Sequence, residues 1–154
     1  MSRSGEITRP WGDRDRTFRL TVPEWEKVQE KCDAGPAEIL SRLAPVFQAT
    51  AAGLTLDEVI AHGFVGTWRV HDVREPLYRA LMRGEKLDPT AAGKVIRELV
   101  DERPLLESVC LAYEVVLASI TGAKDEPLGE SKGEATSSPA ESSPSPTSTE
   151  PPGS

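Results

Sequence analysis

The side chains with most chemistry to offer crowd into Thr67–Gly84, "TWRVHDVREPLYRALMRG". Those 18 residues hold His71, Asp72, Glu75, four arginines, Trp68 and Tyr78. A metal site on a helix needs ligands at i, i+4 or similar spacing. His62 and His71 are nine apart, across an expected helix break, and belong to no HExxH or CxxC pattern. Adjacent His71 and Asp72 point in different directions on any regular element, so they do not form an acid–base pair. No GxSxG is present for a nucleophile, and no GxxxxGKS/T or GxGxxG for a phosphate. No catalytic residue, cofactor site or metal site is therefore expected, and the chain reads as a non-enzyme.

The arginines raise a second question, that of a binding face. Arg79 and Arg83 are an i, i+4 pair facing away from Leu77 and Leu81, while Arg9, Arg14, Arg16 and Arg19 make the N-terminal region locally basic. Asp13, Asp15, Asp72 and Glu75 neutralise much of this charge. A solvated helix face is the ordinary reading, and a phosphate-contacting face is its rival. Trp68 precedes an expected helix cap, where a hydrophobic staple packs. Trp11 is either a lid on the core or an exposed anchor for a partner. The candidate partner-binding residues are Trp11, Trp68, Arg74, Tyr78, Arg79 and Arg83.

Elements must position these groups. "GEITRPW" (5–11) and "RTFRLTV" (16–22) read as two strands joined by the polar turn "GDRD", with Phe18, Leu20 and Val22 on one face. Pro10 belongs at an edge or a strand end. A lone hairpin is marginal in water, so it must pack on helices. From Pro23 the pattern turns helical: Trp25, Val28 and Cys32 share a face and Gly35 marks a stop. Pro36 restarts a helix bearing Ile39, Leu40, Leu43, Val46 and Phe47, which Pro45 should kink or end. "TLDE" (55–58) is a capping box that opens a helix with Leu56, Val59, Ile60 and Phe64 inward. Asp72 is expected as the next N-cap, with Glu75 three residues on and Pro76 in the first turn. Val73, Leu77, Ala80 and Leu81 bury that helix and Gly84 ends it. Asp88-Pro89 opens a helix with Ala92, Val95, Ile96, Leu99 and Val100 on one side. Pro104 opens the last, with Leu106, Val109, Cys110, Tyr113, Val116, Leu117 and Ile120 as its apolar face, and Gly122 closes it. The expected fold is α+β and predominantly helical: an N-terminal β-hairpin followed by about six short helices.

Composition separates a body, 1–122, from a tail, 123–154. The tail holds six Pro, eight Ser and three Thr, with Leu128 its only large apolar residue. Such a segment cannot bury enough surface to offset its ordering entropy, so a disordered acidic Ser/Pro-rich tail is expected. The body carries 16 Lys and Arg against 19 Asp and Glu, a net charge of −3; the tail carries 2 against 6, a net charge of −4. An acidic body is not the footprint of a general nucleic-acid binder. Cys32 and Cys110 read as buried free thiols. The N-terminus has no apolar signal region, and nowhere do 18 apolar residues run together, so neither membrane insertion nor export is expected.

The order of these motifs resembles the tail assembly chaperones of the gene-transfer-agent family, small proteins of tailed phages and of phage-like gene transfer agents of alphaproteobacteria. The resemblance rests on "GEI", "FRLTVPEWEKVQEKCDAGPAEILSRLA", "TWRVHDVREPLYRAL" and "VDERPLLESVCLAYEVVLASITG", and covers most of 5–122. Residues 45–66 look like an insertion, and "MRGEK" (82–86) stands where the family has a Gly-rich run. The resemblance implies a non-enzymatic assembly factor in the cytoplasm of the bacterial host, absent from the mature particle. Its implied partners are the tape measure protein, whose apolar helices it keeps from aggregating, and the tail tube protein, which it helps recruit. No membrane or nucleic-acid partner is expected, and a homo-oligomer stays open. A structural tail or head–tail connector protein and a small DNA-binding regulator are the alternative readings.

Overall fold

The computed structural model describes residues 4–122; the expected tail, 123–154, lies outside the described residues. The chain opens with an antiparallel hairpin, β1 (Ile7–Trp11) and β2 (Arg14–Phe18), registered from Ile7 opposite Phe18 to Trp11 opposite Arg14. The turn is Gly12-Asp13, two residues rather than the four of "GDRD", and Gly12 takes φ +74°, open to a residue without Cβ. Pro10 does sit on an edge, since both strands of this two-stranded sheet are edges.

Six α-helices follow among the described residues: α1 (Val22–Cys32), α2 (Pro36–Ala51), α3 (Leu56–Ala61), α4 (Val70–Gly84), α5 (Pro89–Ile96) and α6 (Leu106–Thr121). A π-helical turn, Arg97–Asp101, continues α5. The predominantly helical α+β class is thus the observed one. The core gathers Phe18, Leu20, Trp25, Val28, Ile39, Leu43, Val46, Val73, Leu77, Leu81, Val109 and Val116 from the hairpin, the link that follows it and four helices. Helix α6 lies centrally, packed against α2 and α4, and places the small side chains of Ser108, Ala112 and Ala118 at buried positions.

Several local expectations give way to tertiary structure. Strand β2 ends at Phe18 because the next amide, Arg19 N–H, donates to Ala80 O of α4 at 3.0 Å. Val22 therefore leaves the strand face: it is the first helical residue after the Thr21 cap and stands 71% exposed. Thr21 N–H also donates to Glu24 Oε1 at 2.8 Å, a capping box written in the sequence as T-x-x-E. Pro45 does not end its helix; α2 runs on to Ala51 while Gly66 packs on its Arg42–Pro45 stretch. The Thr55–Glu58 box forms as expected, with bonds of 2.8 and 3.2 Å, and holds the Glu58 carboxyl below its ordinary range. Yet the helix it opens has one turn and a half, too short to turn Ile60 and Phe64 inward with Val59, and both stay exposed. In α6 the apolar residues run nearly all round. Ser108, Val109, Ala112, Val115, Val116 and Ala118 take the interior, and Ile120, expected in the apolar face, is exposed.

Candidate partner-binding surface

Helix α4 carries four of the six candidate residues, and its two ends are built differently. It begins at Val70, two residues before the expected cap, because Asp72 reaches back from the third helical position. Arg69 N–H donates to Asp72 Oδ2 at 2.8 Å. Asp72 is therefore not the N-cap. Its carboxylate is fully buried, and Arg42 Nη1 of α2 donates to both oxygens at 3.1 Å while Arg42 Nη2 holds Glu38 at 2.8 Å. Burial opposes the Arg42 charge, but these carboxylates outweigh it and raise the guanidinium pKa. The Cys32 thiol beside them donates to His71 O at 3.1 Å; burial, reinforced by the Asp72 charge, pushes its pKa up to about 12 and keeps it protonated. Pro76 falls in the second turn, not the first, which leaves the Asp72 carbonyl without its helical N–H donor. Val73, Leu77, Ala80 and Leu81, all fully buried as expected, hold the helix through that point.

Glu75, expected as a capping partner, is instead buried under two arginines. Arg74 Nη1 stands 3.6 Å from it and Arg79 Nε 3.8 Å, too long for hydrogen bonds. Arg74 is committed to the fold through a two-pronged bond to Asp101, Nε at 2.9 Å and Nη2 at 3.2 Å, and this bond raises its pKa. Trp68 is half-buried and spends its indole N–H on Val65 O at 2.8 Å. Trp11 packs half-buried against Phe18, ring centroids 5.6 Å apart. Tyr78 is half-buried with the Arg79 guanidinium 5.2 Å from its ring centre.

The far end of α4 is open. Its late carbonyls are already taken by main-chain donors: Ala80 O by Arg19 N–H, Leu81 O by Glu85 N–H and Met82 O by Leu87 N–H. Gly84 lies so close to β2 that a Cβ there would strike the backbone of Thr17 and Phe18. Glu85 fastens the contact by accepting Thr17 N–H at 2.8 Å and Arg14 at 3.0 Å. Beside this seam lie two depressions that share Met82 and Arg83. One, about 480 Å³, is lined by Glu6, Arg19, Met82, Arg83, Gly84 and Lys86; the other, about 340 Å³, by Pro23, Glu24, Lys27, Arg79, Met82 and Arg83. Arg79 and Arg83 thus meet at a concave surface, not on a plain solvated face. The candidates Trp11, Trp68 and Arg74 lie outside that lining. Arg19 had shown itself only as part of a basic N-terminal region. Lys27, Met82 and Lys86 carried no signal of their own.

Residues 4–67 match a family model described as "Phage tail tube protein, GTA-gp10". The similarity is to a phage and gene-transfer-agent tail family. The matched span covers the hairpin, α1, α2, α3 and the stretch 45–66 that reads as an insertion; α4, α5 and α6 lie beyond it. No curated protein and no solved structure matches the chain. Among the described residues, no three His, Cys, Asp or Glu side chains converge on a metal position, and no helix is long and apolar enough to cross a membrane.

Proposed function

We propose that this chain is a non-enzymatic tail assembly chaperone of a phage or phage-like gene transfer agent. It binds the tape measure protein and helps recruit tail tube subunits. It acts in the bacterial cytoplasm and is left out of the finished particle. The tail-family match over residues 4–67 supports the setting. The observation that carries the chaperone role lies within that span: Ile60 is 55% and Phe64 47% exposed on and beside a six-residue helix, and the start of α4 adds Val70 at 50%. Large apolar side chains left in water on a weakly propped helix suit the capture of an apolar helix from a partner. Co-expression with the tape measure protein tests this. Its soluble yield is expected to rise several-fold with the native chain and not with Ile60→Lys/Phe64→Lys; equal yields with and without the chain would end the reading.

A second reading, a structural tail component retained in the particle, is favoured by the family's printed description as a tail tube protein. Particle composition separates the two.

A further inference from the structure

We propose that the concave surface between α1, β2 and the C-terminal end of α4 docks an acidic peptide segment of a protein partner. The inference deepens the functional reading and rests on the chain having such a partner.

Five cations, Arg19, Lys27, Arg79, Arg83 and Lys86, line the two adjoining depressions against two carboxylates, Glu6 and Glu24, an excess of three positive charges. The body that carries them has an overall charge of −3, so this concentration runs against the composition of its surroundings. The fold does not use it up. Of the N-terminal arginines, Arg9 pairs with Glu114, Arg14 with Glu85 and Arg16 with Asp13, whereas Arg19 has no ion pair among the described residues. Arg19 Nε is buried with no hydrogen-bond partner, while Arg79 Nε lies 3.8 Å from Glu75 Oε1, a loose ion pair. A guanidinium N–H withdrawn from water ordinarily meets an acceptor, so Arg19 marks a place where one is missing. Arg83 holds Glu24 only at 3.7 Å and is half-exposed, free to turn to a better partner. Nor are the cations needed to cap α4, whose late carbonyls already accept from Arg19, Glu85 and Leu87 N–H groups.

The geometry selects a peptide over a nucleic acid. Two carboxylates in the lining and an acidic body oppose a long polyphosphate, whose binding grows with many phosphate contacts. A carboxylate side chain needs one guanidinium fork; one depression offers Arg19, whose Nε has no acceptor, and both share the half-exposed Arg83. Met82 and Pro23 add an apolar floor suited to a side chain between two acids.

The test uses the full chain and a short fluorescein-labelled peptide of glutamate and leucine, read by anisotropy at low salt. Saturable binding is expected, weakened about ten-fold or more by Arg83→Glu/Lys86→Glu and by a matching peptide with glutamine for glutamate. Amide shifts on titration are expected at Arg19, Lys27 and Met82–Lys86. Arg83 and Lys86 are exposed, so the double variant should melt as the native chain does. Arg19→Gln gives a second, independent loss. No saturable binding, equal binding of the glutamine peptide, or displacement by a single-stranded oligonucleotide at lower concentration than by unlabelled peptide would each overturn the proposal. Rescue of the tape measure protein by a chain that binds no acidic peptide removes this inference and keeps the chaperone. Peptide binding without rescue does the reverse.

Discussion

The two ends of helix α4 carry the same kinds of side chain and treat them in opposite ways. At the start, Asp72 is fully enclosed and each of its oxygens is met, by Arg42 from α2 and by the Arg69 amide. At the finish, Arg79 and Arg83 stand with Arg19 and Lys86 around open depressions, held by ion pairs of 3.7 Å or longer or, at Arg19, by none among the described residues. A buried charge without its partner is costly, so a closed cluster works as a rivet that fixes how α2 and α4 meet. Cations left short of partners at a concave surface add little to the fold and remain available to another molecule. Residue type alone does not separate structural from functional charge; burial and satisfaction do.

If that contrast is right, Asp72→Ala does the most damage. It leaves Arg42 with Glu38 as its one remaining carboxylate, removes the acceptor of the Arg69 amide and opens a cavity where Asp72 was fully buried, and urea unfolding should show a loss of about 3 kcal/mol. A loss under about 1 kcal/mol would mean that the cluster is not a rivet. Next comes Gly84→Ala, which forces β2 away from α4; about 1–3 kcal/mol is expected in the same measurement. Arg74→Ala is smaller, about 0.5–1 kcal/mol, because its bond to Asp101 is partly exposed and salt should reduce it. Smallest is Arg83→Glu, within about 0.5 kcal/mol of the native chain even though it cuts peptide binding. A large destabilisation there would make the open end structural after all and erase the contrast.

Much of the architecture was legible in the sequence. The Thr55–Glu58 box, the Asp88-Pro89 start and the Val73–Leu77–Leu81 stripe are local signals, and local physics honours them; Gly84 does stand at the helix end, but as the close contact with β2. Asp72 was misread because its deciding partner, Arg42, lies 30 residues away on another helix, and periodicity carries no information about that meeting. Without Arg42, an aspartate ahead of an apolar stripe looks like an ordinary cap. Ile60 and Phe64 were misplaced for a related reason. Their spacing is helical, but the helix is too short to bring both round to the core. The basic surface was half visible. Arg79 and Arg83 announce themselves at i, i+4, while Arg19 and Lys27 join them only because β2 and α1 pack alongside.

Retention in the finished particle separates a tail assembly chaperone from a structural tail component. Quantitative mass spectrometry of purified mature particles, beside the lysate depleted of them, asks this directly. An assembly chaperone predicts the chain in the depleted lysate, associated with the tape measure protein, and none in the particles. The chain in the particles at a fixed ratio to the tail tube protein would contradict the account and establish the structural alternative.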